Sequence, residues 1–517
     1  VYGLPGWFLA ALAASTLAKL YHLTGPATDW HSWNQITTLA QARYLYDNNF
    51  AEILIPRVHL FTSLEPDSNI VFGEAPVIHT LIALGYFLIG GEAEWVGRLI
   101  NIVISGAGAV YLYRLVEKSL SPAGVFTAMM VYLFSPMNLF FHRSVITDVG
   151  MVSCTIAGLY YFSLWLETGR RGLGLAAGAA ISLAALFKAY ALFMGVPFLW
   201  LIVRRRGWRS VADPWHLLIA AVCVLPVAAW LYWGLAILPA RIPGMLSIVS
   251  SGGLVGDPGL LLEPRFYQRI LTILADFTLT PVFGALAVYG AWRAWGAQAG
   301  RQGPSAPNRA RVPDWLAGWL LGLLVYLVIV NKGNYVHDYY QLPFLPALAI
   351  LGGLGFAALW EGNFLRLGMR RGRLVLLGLA GLSLLYAGLL SAGKHRRAGY
   401  IYDAGLAVKK AALPGERVLF HQMRGFHQVL FYTGAEGWKL PDEISSRQEL
   451  SEYYDRGARL IVLALSQADW EGNRQPLAGL ERLAAQGMLV RAAHSRESTD
   501  RSGNRIPWVV YRIAERP

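Results

Sequence analysis

Charge is scarce in this chain. Only 15% of its 517 residues are Asp, Glu, Lys or Arg, against about 25% in an ordinary soluble protein. With 55% hydrophobic residues, that shortage excludes a soluble globular enzyme of the usual kind. Cysteine is nearly missing: Cys154 and Cys223 are the only two, and both fall inside apolar runs. They make no disulfide framework and say nothing of redox compartment. The chain shows no internal repeat, and its tail from about Tyr400 lacks a glycine-rich phosphate loop and a metal-ligand spacing, so nucleotide-cradling and metal-centred chemistries have no motif behind them there. Acids are fewer than bases, 32 against 45, for a formal charge of +13. Nucleic-acid binding does not follow, because the arginines cluster in short loops between apolar runs. That is the charge signature of a membrane protein's cytoplasmic loops.

Apolar runs are what the chain has in abundance. They predict an α-helical polytopic membrane protein. Eighteen Trp and twenty-five Tyr suit the interfacial belts of such a protein. The first run, Leu4 to His22, has no small-residue cleavage site and reads as a retained anchor. Further spans are expected at about 95–116, 123–141, 148–166, 172–187, 189–203, 215–237, 270–292, 314–331, 341–360 and 373–392, about eleven in all. The run Pro76 to Gly90 is shorter than the roughly 20 residues a crossing needs and reads as a surface or re-entrant helix.

Charge decides that choice. Arg114 with Lys118, Arg170 with Arg171, Arg204 to Arg206 with Arg209, Arg293 with Arg301, Arg309 and Arg311, and Arg366 with Arg370, Arg371 and Arg373 then share one face, the cytoplasmic one. The outer face receives the loop from Asp29 to Ala75, the stretch HRSVITD, the turn at Lys188, a long loop at about 238–269 and NKGNYVHDYYQ. Lys394, His395, Arg396 and Arg397 go against the bias, one cluster against five loops.

From about Tyr400 the composition becomes mixed and charged. The runs RVLFHQ, RLIVLAL, LVRAAHS and PWVVYRI read as strands. DAGLAVKKAAL and SRQELSEYYDRGA between them read as helices. The expected organisation is a membrane domain over 1–395, including a first outer loop at 24–94, and an extramembrane α/β domain over 396–517.

Most of the membrane part's acids and histidines lie on the outer face. Asp29 and His31 follow the first span directly, and ionisable groups there usually mark a site. A bland reading makes Asp29 to Phe50 an amphipathic helix resting on the bilayer. Glu74 precedes the short helix. Asp148 opens a span, as a reactive carboxylate or simply as an N-cap. Arg98 and Arg143 are phosphate candidates or snorkelling cations. His337 and Tyr340 line a late span's entrance as pocket or belt residues. Lys188, alone at a tight outer turn, suits a phosphate. Together these groups suggest transfer from a lipid phosphate: a general base for an acceptor hydroxyl and cations for the leaving group.

AQARYLYDNN, GEAP, EWVGRL, SPMNLFFHRSVITDVG and HDYYQLPFLPALA, in that order over about residues 25–350, resemble the GT-C glycosyltransferases. The likeness is to the branch of protein O-mannosyltransferases and the lipid A aminoarabinose transferase, glycosyltransferase family 39. The resemblance implies a GT-C bundle and inverting transfer of a sugar from a polyprenyl-phosphate donor to an acceptor at the outer face of a bacterial plasma membrane. Membrane lipids would be its surroundings; no cofactor is implied, and a divalent metal is compatible with the sequence without being implied by it. That family carries an acidic pair about eight residues before an Ala-Arg. Here the Ala-Arg is Ala42-Arg43 and the pair is Asn34-Gln35. The base role therefore moves to Asp29 in the Asp-x-His-x-Trp start, with His31 as rival, and the second acid maps to Asp148 and the acid before proline to Glu74. Two other readings remain: a lipid-linked sugar flippase, and a degenerate family member serving as a structural subunit. Sugar, acceptor and oligomeric state are not written in the sequence.

Overall fold

The computed structural model describes residues 3–61, 63–64, 68–241, 246–247, 256–298, 313–362, 364–422, 427–441, 444, 446–472 and 476–514. Arg301, Arg309, Arg311 and part of the loop 238–269 lie outside the described residues. Packing divides the chain into two units. The first comprises Val1–Leu23, Arg98–Tyr232 and Gly252–Gly393, and the second Thr24–Gly97, Trp233–Ser251 and Lys394–Pro517. The boundary expected at 395/396 is thus drawn differently, because the first outer loop packs with the tail.

The first unit is a helical bundle. Among the described residues, five helices are long and apolar enough to cross a membrane, or six if one bent pair counts as a span. They include Asp148–Thr168, Phe344–Glu361 and Met369–Lys394. Leu217 and Leu225 on one helix, and Leu382 and Leu389 on another, are exposed, an apolar outer surface that calls for lipid. The expected count of about eleven exceeds five or six because several expected spans are short or broken. Pro122–Phe134, Arg171–Phe187 and Asp314–Ile329 are apolar but run to 17 residues at most. At 1.5 Å per residue, 17 residues reach about 25 Å, short of a hydrocarbon core of about 30 Å.

Proline accounts for two of the breaks. The expected span 123–141 is interrupted at Ser135, extended at φ −60°, ψ 148°, just before Pro136. The expected span 270–292 is not one straight helix: Pro264–Thr278 and Pro281–Trp295 meet at 110°. Thr280 sits at φ 79°, and Pro281 has no N–H to carry the ladder across.

Where the helices meet, side chains give way to backbone. Pro281–Gln298 packs on Phe344–Glu361. A Cβ on Gly355 would collide with the carbonyl of Leu286, and one on Gly290 with that of Leu351. Small residues that let helix backbones approach are the usual device for packing within lipid.

The second unit is built on a six-stranded sheet. Its strands are β1 (Leu60–Phe61), β2 (Arg417–Gln422), β3 (Gly437–Lys439), β4 (Ala458–Ala464), β5 (Leu489–Ser495) and β6 (Trp508–Ile513), in the order β1-β3-β2-β4-β6-β5. Four coincide with the strand-like runs in the tail. β1 comes from the first outer loop and pairs in parallel with β3, Leu60 opposite Gly437. β1, β3, β2 and β4 are parallel neighbours, and β6 is antiparallel to both β4 and β5. Helix Arg447–Asp455 starts with a capping box of Ser446 and Glu449. Phe61, Leu419, Trp438, Ile461 and Tyr511 share one core.

The same unit holds helices Ser32–Asp47 and Val77–Ile89, packed on each other. The second has 13 residues, about 20 Å long, too short to cross. It buries Ile78, Ile82 and Tyr86 and exposes Leu81, Leu84, Phe87 and Leu88.

Gly355→Leu should destabilise the bundle by about 1–3 kcal/mol or more through overpacking. Gly378→Leu, where a Cβ meets nothing within 4 Å, should be nearly neutral. Thermal unfolding in detergent measures both, and equal melting temperatures would contradict the helix contact.

Candidate functional site

In the first unit, helix Arg171–Phe187 ends at Lys188, whose backbone is extended at φ −155°, ψ 120° before a 3₁₀ turn over Ala189–Met194. Helix Asp148–Thr168 packs along it. These two ends bring Lys188 Nζ to 3.1 Å from Asp148 Oδ2. Tyr190, two residues past the lysine, donates its hydroxyl to Asp148 Oδ1 at 2.7 Å. Asp148 is fully buried and Lys188 is 4% exposed. The ammonium also faces three rings, with Nζ 4.5 Å from the centroid of Tyr340, 5.0 Å from Tyr339 and 5.4 Å from Tyr190. Cation–π contacts of this kind favour a charged amine in an apolar setting. Tyr326 donates to the Tyr340 carbonyl at 2.7 Å and fixes that ring's backbone. His337 is half-buried and stacks on Tyr339 and Tyr340 at 5.2 and 5.7 Å between centroids.

The structure therefore brings Asp148, Lys188, His337 and Tyr340 into one cluster. It corrects the bland reading of Asp148 and the expected setting of Lys188. Asp148 does not cap: Thr147 is the N-cap position, and the Asp148 carboxylate is turned to Lys188 and Tyr190. Lys188 is not on an open turn but buried in an ion pair.

Arg98 and Arg143 converge on another point of the same unit. Arg98 Nη1 donates to the carbonyl of Leu23, and Arg143 Nη2 to that of His22 at 3.2 Å. These carbonyls follow the C-terminus of helix Gly6–Lys19, where cations complement the helix dipole. With 0% and 1% exposure, neither side chain snorkels to a headgroup. Asn101 holds the neighbouring HRSVITD stretch by donating to the carbonyls of Ser144 and Ile146 at 2.6 and 2.9 Å.

Asp29, His31 and Glu74 belong to the second unit. Asp29 is 2% exposed, which removes the reading of its segment as a helix lying freely on the bilayer. Gln35 Nε2 donates to Asp29 Oδ1 at 2.6 Å. The tail contributes Arg501, which donates to Ser32 Oγ at 3.1 Å. Burial lowers the Arg501 pKa, and the negative charge of Asp29 works against that fall. Trp30 lies beneath Lys394 Nζ at 3.6 Å and Arg501 at 5.6 Å. His31 takes a left-handed backbone, φ 55° and ψ 35°, as the residue preceding helix Ser32–Asp47. That conformation is uncommon outside glycine and turns the chain sharply after Asp29. Glu74 is half-buried, and its charge reaches the buried imidazole of His79.

Three residues escaped the sequence reading. Tyr190 carried a signal, being spaced two from Lys188 across a helix break. Gln35 was visible only as a departure from an acidic pair, yet its amide is positioned to orient Asp29. Arg501 had none, since nothing local links the far tail to the first loop.

Residues 73–233 match the sequence model of the family described as dolichyl-phosphate-mannose-protein mannosyltransferase. No curated protein matches significantly. In fold the chain is similar to ArnT from Cupriavidus metallidurans. In the apo state the TM-score is 0.62, and with undecaprenyl phosphate bound it is 0.59, at 15% identity and 98% coverage of both chains. It is also similar to the arabinofuranosyltransferase AftD from Mycobacteria, with a TM-score of 0.57, 14% identity, 99% of this chain covered and 40% of that one. The chain is thus a multi-pass membrane protein with the fold of the GT-C glycosyltransferase superfamily, and over residues 73–233 it carries the sequence likeness of the mannosyltransferase family.

Proposed function

We propose that the chain is a membrane glycosyltransferase that moves a sugar from a polyprenyl-phosphate donor to an acceptor hydroxyl at the outer face. The observation that carries this is the buried Lys188 ammonium, held by Asp148 and Tyr190 and ringed by tyrosines, in the unit built of membrane helices. The donor class comes from ArnT, which shares the fold and has been seen with undecaprenyl phosphate. The finer architecture belongs to the same proposal: about eleven crossings, some of them short or broken, and the tail outside the membrane on the outer side.

The chemistry is a direct displacement. The acceptor oxygen forms a bond to the anomeric carbon while the bond from that carbon to the phosphate oxygen breaks. Polyprenyl phosphate leaves with the bonding pair, and inversion follows. In this reading Asp29 takes the acceptor's proton, kept in orientation by the Gln35 amide. Lys188 stabilises the charge that grows on the phosphate, and Asp148 holds the lysine in place. His337 and Tyr340 line the donor's side of that cluster. Arg98 and Arg143 remain phosphate candidates, though their contacts with the carbonyls of His22 and Leu23 also make them structural. Glu74 would meet substrate near the short helix. A panel of polyprenyl-phosphate sugars offered to the purified protein in membranes tests the whole reading, and no transfer from any donor would favour the structural-subunit alternative.

Lys188→Ala should destabilise the fold by about 3–5 kcal/mol, because it strands a buried carboxylate. Lys188→Ala combined with Asp148→Asn should recover much of that loss while donor binding stays weakened by about ten- to a hundredfold. A double variant that folds and binds polyprenyl-phosphate sugar as tightly as the parent would remove Lys188 from the phosphate role.

Asp29→Asn should leave folding and donor binding intact and slow transfer by about a hundred- to ten-thousandfold. Gln35→Leu should slow it less, since the base remains but loses its orienting donor. Near-parental turnover of Asp29→Asn, with turnover lost in His31→Gln, would give the base role to the imidazole.

Cysteine at Ala485, exposed near the end of helix Leu477–Ala485, should react with a membrane-impermeant maleimide from outside the cell. Reaction only after lysis would place the tail, and Asp29 with it, on the cytoplasmic side.

A further inference from the structure

Within the second unit a cleft of about 1210 Å³ opens, lined from both the first outer loop and the tail, and none of the residues given a role above lines it. That volume exceeds the roughly 300–1,000 Å³ typical of drug-sized ligand sites, so it accommodates more than one sugar ring. Its walls combine two kinds of group. Tyr46, Trp95 and Tyr402 line it and are half-buried, each keeping part of its ring open to an incoming molecule. Rings of this type pack against the C–H face of a pyranose.

Four of the nine charged groups on the lining pair with one another. Arg43 binds Glu92, and Arg417 lies 3.2 Å from Glu436. Asp47 and Lys409, both exposed on the lining, form no ion pair among the described residues. An exposed carboxylate and an exposed ammonium in one cleft suit a neutral ligand rich in hydroxyls, which can both donate and accept. An anionic ligand is disfavoured, because the lining carries five carboxylates and four cations. His59 adds a further polar atom: its Nδ1 is buried and has no hydrogen-bond partner among the described residues. Burial, with help from Arg43 and His427, lowers the His59 pKa to about 3, so the imidazole is neutral at physiological pH.

We propose that this cleft binds a neutral oligosaccharide, the glycan part of the acceptor. The assignment as acceptor rests on the transferase reading; the binding itself does not. A peptide acceptor is less well matched, since the half-buried aromatics and exposed opposite charges provide stacking and hydroxyl recognition.

The test uses the full chain in lipid nanodiscs with no donor present. Saturation-transfer NMR is recorded with three neutral probes: mannotriose, maltotriose and triacetylchitotriose. At least one should bind. Asp47→Asn, an exposed change that leaves the core untouched, should weaken that binding by about tenfold, the loss of one charge-assisted hydrogen bond. Trp95→Ala should abolish it, with Trp95→Phe restoring part. The proposal is overturned if none of the three binds, if Asp47→Asn and Trp95→Ala both bind like the parent, or if a Ser/Thr-rich peptide binds the cleft and the sugars do not. Because donor is absent, loss of transfer in Lys188 or Asp29 variants leaves this result unaffected. Sugar binding without any transfer activity would sink the transferase reading and keep the cleft.

Discussion

A charge pair buried among apolar helices constrains everything around it. Neither Lys188 nor Asp148 could be held there alone, since an unpaired ion in such surroundings costs several kcal/mol. The pair therefore requires helix Arg171–Phe187 to end where helix Asp148–Thr168 begins. It requires the chain after Phe187 to leave helical geometry, so that Lys188 points to the carboxylate and Tyr190 returns to it from the following turn. It also draws in the segment around His337 to Gln341, whose tyrosines supply ring faces instead of a second anion. The 3₁₀ turn Asp338–Gln341 is the irregular backbone that presents two adjacent rings at once.

Irregularity is concentrated where polar groups are needed. Ser135, Lys188 and Thr280 each sit at a break between helices, and proline stands behind two of these breaks. In lipid a broken helix leaves backbone groups to be satisfied, so such breaks persist only when buried in protein or used by a site. The long uninterrupted helix Met369–Lys394 carries none of the cluster. Its exposed Leu382 and Leu389 suit a lipid surface.

Much of this was legible from local pattern. The four tail strands were readable because β-branched and aromatic runs between polar turns identify themselves. The short helix Val77–Ile89 followed from its length and from the sign of the loops after it. Lys188 stood out because a lone cation at a turn expected on the outer face opposes the usual bias. What stayed hidden depends on contacts far apart in sequence. Burial of Lys188 could not be read from FKAY, since it depends on Asp148 forty residues earlier and on tyrosines far later. The bend at Thr280 was masked because hydropathy averages over Asp276, Thr280 and Pro281 within the run 270–292. The pairing of β1 with β3 was invisible because the strand is two residues long and its partner lies far along the chain.

That last pairing sets an order on biosynthesis. The Trp438 indole reaches back to the Ser63 carbonyl across 375 positions, and β1 has no sheet to join until β2 and β3 exist. At about 5–20 residues per second, synthesis of that interval takes about 20–75 s. During that time the loop that carries Asp29 waits with an unpaired strand, while the membrane helices after it are inserted. The far tail, which supplies Arg501, is also the last part made. The nascent chain therefore acquires its lysine cluster before it acquires an ordered first loop.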